Sequence, residues 1–127
     1  MMIDTIYEAL IADNLISELV GRRIKYYEYP EAKDVEETHI IIDPIGVPIP
    51  KDYADDKWLT DDYIYQIDVW SLDMDEVKVI ASKIREIMWK LHFKQSDGMD
   101  EYDNDYAIFR DARRYRGKAY RKDFNNL

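Results

Sequence analysis

The chain has 127 residues, 46% of them hydrophobic and 13% aromatic, with no cysteine and a formal charge of −9. The absence of cysteine excludes disulfides, thiolate-bound zinc and a thiol nucleophile, and the negative balance argues against a general affinity for nucleic-acid backbones. No apolar run approaches the roughly 20 residues that cross a bilayer, and the opening MMIDTIYEALIAD is acidic where a signal peptide is basic, so the expectation is a soluble chain with no membrane partner.

Thr5 and Glu8 have the spacing of a capping box, which predicts a helix from about residue 5 with Ile6, Ala9 and Leu10 on one face. Continuing it would carry Asp13 into the apolar stripe, so a break is expected at Asp13-Asn14, followed by a short helix with Leu15, Ile16, Leu19 and Val20. Gly21 then ends it. RRIKYYEYP (22–30) and THIIID (38–43) read as strands stopped by Pro30 and Pro44, with an acidic loop between them.

Residues 44–62 hold three prolines, a glycine and a burst of aspartates, and are too long for an ordinary loop. Tyr53, Trp58 and Leu59 would be out of place in a solvated loop, which suggests a projecting arm that docks on something. DYIYQIDVWS (62–71) alternates as a strand: Tyr63, Tyr65, Ile67 and Val69 should face the core, and Ile64, Gln66, Asp68 and Trp70 the other side. That second set is too apolar for a free surface; either a partner or the arm itself should cover it.

Asp73 and Glu76 form a second capping box before Val77, Ile80, Ala81, Ile84, Ile87, Met88 and Leu91, the stripe of a long amphipathic helix. Val79 and Trp89 fall outside that stripe and are candidate contact residues. QSDGMDEYDND reads as a polar turn region, and YAIFRDARRYRGKAYR (106–121) as one or two strands with Gly117 as a turn or bulge. The sum is one α+β domain over 1–127: a mostly antiparallel sheet of four to five strands, with an N-terminal helix pair and the long helix on one face.

Catalytic signatures are weak. DGMDEYDND departs from the calcium-loop template, with Ala107 at a ligand position and no glutamate at the twelfth. Asp73 is explained by helix capping rather than by a metal-dependent hydrolase, and neither His39 nor His92 has a serine or cysteine at a motif spacing. No glycine-rich phosphate loop exists, so no cofactor or metal is expected.

Charge is unevenly spread. Residues 1–109 carry 11 Lys and Arg against 25 Asp and Glu, whereas 110–127 carry 7 against 2. Arg110, Arg113, Arg114, Arg116, Lys118, Arg121 and Lys122 therefore form a basic segment on an acidic body. With Tyr115 and Tyr120 interleaved, it fits a nucleic-acid-binding module, a protein interface, or the solvated face of a strand.

The order of these pieces, from LVGRRIKYYEYPE through THIIID and YIYQIDVWS to RRYRGKAYR, resembles the tail completion proteins of long-tailed bacteriophages, the tail terminator or head-to-tail joining proteins. The resemblance runs over nearly the whole chain and is one of pattern and order. It implies a non-enzymatic virion assembly protein: a subunit that forms a ring of its own copies, commonly a hexamer, capping the tail tube and meeting the head connector. Localisation in the virion, and in the bacterial host's cytoplasm during assembly, would follow. DNA would pass through without specific binding, which suits an acidic body. The long arm and the cationic end depart from the pattern and leave a neighbouring neck protein as an alternative.

Overall fold

The computed structural model describes residues 1–31 and 36–120, and the elements follow in the order α1 (Met2–Ala12), α2 (Asn14–Leu19), β1 (Ile24–Tyr26), β2 (His39–Pro44), β3 (Ile49–Ala54), β4 (Lys57–Ser71), α3 (Met74–Lys90), β5 (Phe93–Asp103) and β6 (Ile108–Tyr120). The fold is α+β, with a six-stranded sheet in the order β1-β2-β4-β6-β5 and β3 attached to β4. Every pairing is antiparallel except β1 with β2.

The helices start and stop for local reasons. α1 begins at Met2 rather than near residue 5 and has no side-chain cap; burial of Ile3 with Ile6 and Leu10 rewards the extra turn, and Thr5 instead bonds back to the Met1 carbonyl at 3.3 Å. The break falls at Asp13, whose carboxylate accepts the Ile16 amide at 3.1 Å and so caps α2. Gly21 adopts φ 61, the left-handed conformation that glycine takes past a helix end. Asp73 caps α3 through the amides of Asp75 and Glu76, while the Glu76 carboxylate takes the Thr38 hydroxyl rather than reaching back to its own cap.

All three helices pack on one face of the sheet. Val77, Ile80, Ala81, Ile84 and Met88 of α3 join Ile6, Leu10, Ile16 and Val20 over Ile40, Ile42, Tyr65, Ile67 and Val69. The expected inward face of β4 is therefore the one that meets the helices. Phe93, Tyr63 and Tyr65 close one end of this core as a ring cluster with centroids 5.9 to 6.4 Å apart. The Phe93 ring lies directly over its cross-strand partner Gly117, where a Cβ would come within 2.4 Å of it.

Two segments read as irregular are strands. The stretch from Pro44 to Asp62 is mostly a hairpin: β3 pairs with the first half of β4 from Ile49↔Asp62 to Ala54↔Lys57. Asp55 and Asp56 turn it at φ 50 and 63, the mirror-image geometry that suits two-residue hairpins. The polar stretch read as a turn region is β5, paired with β6 from Phe93↔Gly117 to Asp103↔Ile108; of its eleven residues only Phe93 is buried. Alternation gave no signal there because neither face of β5 is covered.

Candidate functional site

The sheet face turned away from the helices holds a connected polar network around a buried carboxylate. Pairing Asp68↔Ala112, Trp70↔Arg110 and Ile41↔Asp68 brings β2, β4 and β6 together. Asp68 is 0% exposed. A carboxylate so placed needs partners, and it has three: Arg110 Nε donates at 2.8 Å, Gln66 Nε2 at 3.0 Å and Trp70 Nε1 at 3.4 Å. Arg114 Nε in turn donates to Gln66 Oε1 at 3.1 Å, and Arg110 also reaches Glu101 at 3.0 Å.

An aromatic layer covers this network. The guanidinium of Arg110 lies 5.7 Å from the ring centres of both Tyr29 and Trp70, which are 5.8 Å from each other, a cation–π arrangement. Tyr29, in the connection from β1 to β2, also donates to Asp43 at 3.1 Å. Burial and the neighbouring carboxylates of Asp68 and Asp43 push the Tyr29 hydroxyl up to about 12, so it remains a donor. Burial opposes the charge on Arg110, but Asp68 and Glu101 outweigh it and its pKa rises. A pocket of about 510 Å³ opens beside this layer, lined by Trp70, Glu101, Tyr102, Asp103, Ile108 and Arg110.

These positions decide what covers the outward face of β4. Gln66 and Asp68 are buried within the chain, and Ile64 and Trp70 are half-buried; Tyr29 and Arg110 lie against Trp70, while Ile64 lines a pocket with the arm residues Ile45, Val47 and Ile49. The other candidate contact residues are separated from this face. Val79 and Trp89 lie on the outer side of α3, 50% and 63% exposed, with Lys94 5.9 Å from the Trp89 ring. Tyr53 on the arm is 70% exposed, while Trp58 and Leu59 are half-buried, the Trp58 indole donating to Asp61 at 3.2 Å.

The basic segment is largely engaged with the chain's own acids and amides. Arg110 holds Asp68 and Glu101, Arg113 holds Asp111 at 2.9 Å and Gln95 at 3.3 Å, and Lys118 meets Asp52 at 2.8 Å. Buried Asp111 also accepts from Lys78 at 3.1 Å. Arg116 is exposed, and Arg121 and Lys122 lie outside the described residues. Sequence reasoning missed Asp68 as the ligand of Arg110, 42 residues away; a lone aspartate inside the alternation of a strand was the available signal.

Among the described residues no group of three or more His, Cys, Asp and Glu is placed to hold a metal ion. Asp103 instead accepts the amides of Asp105 and Tyr106 and shapes the β5–β6 turn. His39 Nδ1 lies 2.8 Å from the Glu37 carbonyl, and His92 sits past the end of α3 at φ 69. No helix among the described residues is long and apolar enough to cross a membrane.

No family model matches the sequence, and no curated protein matches it. Solved structures do. The chain resembles a component of the virion of a native gene transfer agent particle, with a TM-score of 0.63 and 13% identity, over 91% of this chain and 92% of that one. The two share a fold. A second solved chain, 14% identical over 94% of each, superposes with a TM-score of 0.48.

Proposed function

We propose that this protein is a non-enzymatic structural subunit of a phage-like virion, and that it forms a ring of its own copies at the tail end of the head-to-tail junction. The observation that carries the reading is the fold likeness to a chain of a gene transfer agent virion, which spans nine-tenths of both chains at a TM-score of 0.63. Ring closure needs two different patches that meet head to tail. The chain offers separate exposed apolar groups on the outer side of α3, at Val79 and Trp89, and on the arm, at Val47, Ile49 and Tyr53. On this reading these side chains are the contact points between copies.

On this reading the tail tube and the head connector are the further partners, and DNA passes through the ring unbound. The nucleic-acid alternative draws less support, because Arg110, Arg113, Arg114 and Lys118 are already held by side chains of the same molecule. Negative-stain imaging of the purified protein tests the proposal: closed rings of uniform size are expected. Single particles without rings, at high protein concentration and with tail tubes added, would overturn it.

A further inference from the structure

β5 is an edge strand with an uncovered outer side. One edge pairs with β6; the other faces no strand among the described residues, so alternate backbone N–H and C=O groups point outward. Long exposed edges invite another strand, and charge is the usual guard. From Asp97 onward the guard has one sign: on the face they share with Arg114 and Arg110, register places Asp97, Met99, Glu101 and Asp103 in alternation. Two β5 strands paired with each other would set these carboxylates side by side, which is unfavourable. A basic strand would meet them with opposite charge.

The pocket of about 510 Å³ lies at the end of this strand, and its lining includes Glu101 and Asp103 together with apolar surface of Trp70 and Ile108. A lysine or arginine suits such a mixture, laying its aliphatic stem on the apolar wall with its charge at the carboxylates. The lining carries two carboxylates, Glu101 and Asp103, against the single guanidinium of Arg110, which is itself shared between Glu101 and the buried Asp68.

We propose that the free edge of β5, with the pocket at its end, binds an extended segment of a partner protein that carries basic residues at every second position. Backbone pairing supplies affinity and the alternating carboxylates choose the sequence, as in other cases of strand addition. The proposal does not depend on ring formation.

The test uses a labelled short peptide alternating lysine and valine, with fluorescence anisotropy on the full chain. Three comparisons accompany it: the glutamate-valine counterpart, the same basic peptide N-methylated at alternate residues, and the protein carrying Asp97→Lys with Asp103→Asn, the asparagine keeping the acceptor that the turn uses. N-methylation and the β5 variant are each expected to weaken binding at least about tenfold, the loss of one or two net hydrogen bonds or ion pairs. A control variant at the arm tip, Asp55→Lys with Asp56→Lys, is expected to bind as before. Equal binding of the N-methylated peptide, an equal loss in the arm-tip variant, or no binding of the basic peptide at all would each overturn the proposal.

Discussion

The two faces of the sheet are buried by different means. On the helix side Ile67 and Val69 lie under Ile80, Ile84 and Met88, a dry contact in which apolar area supplies the stability. On the other side Ile41 and Ala112 are equally buried, yet the centre is a carboxylate closed in by Arg110, Gln66, Trp70 and the Tyr29 ring. The first face tolerates loss of a methyl group at graded cost; the second works only while every polar group has its partner.

The largest effect is expected on the polar side. Arg110→Ala would leave Asp68 buried with only its neutral donors and should cost about 4 kcal/mol of unfolding free energy in urea. Adding Asp68→Leu to Arg110→Ala should recover a good part of it, because the uncompensated charge is then gone. Ile84→Ala, on the helix side, should cost about 3 kcal/mol through a cavity. If the Arg110 variant proved the milder of the two, the polar layer would be a surface ornament and the contrast would fail.

Gly117→Ala sharpens the contrast at the rim of the apolar core. The added methyl would meet the buried Phe93 ring at 2.4 Å, so a loss of about 2 kcal/mol is expected from overpacking, measured by the same unfolding curves. Gly117→Ala with Phe93→Leu should lose less than the two single changes added together.

The smallest effect concerns the arm, where neither mode of burial operates. Asp52 at φ 57 has no register partner in β4; its carboxylate instead ties Lys118 and Thr60 together. Lys118 first, then Thr60, holds Asp52 below its ordinary value. Its folded pKa is thus the lower one, so the tie contributes above the unfolded value near 4 and is lost as pH falls through the folded value. Amide exchange of residues 49–54, corrected for intrinsic rate, should quicken below about pH 4, while α3 stays protected.

Legibility in the sequence followed the kind of burial. α3 was plain because one face meets the core and the other meets water, and the inner face of β4 was plain for the same reason. The break at Asp13 was readable as a polar residue in an apolar stripe. β5 was hidden because an edge strand exposed on both faces has no period to show, and its pairing rests on backbone bonds and on contacts such as Glu101 with Arg110. The arm hides its hairpin because its prolines outweigh its turn signal: Asp55-Asp56 forms a two-residue turn, Pro48 lies before β3, and Pro50 sits on a strand that pairs with β4 alone, where a missing donor is tolerated. Of the candidate contact residues, Val79 and Trp89 follow from helical geometry alone, whereas Tyr53 stands out only as an aromatic side chain in a proline-rich arm. Asp68 was not readable as buried, since its partner lies three elements further along the chain.

The proposed ring requires that the apolar surface left exposed on the arm and on the outer side of α3 be covered by further copies of the chain. Light scattering after size exclusion, run over rising concentration on the unaltered protein and on the variant with Trp89→Ala and Tyr53→Ala, tests this most directly. The expected result is a mass several times that of one chain, falling to one chain in the variant with its far-ultraviolet circular dichroism unchanged. A single-chain mass for the unaltered protein at every concentration would contradict it.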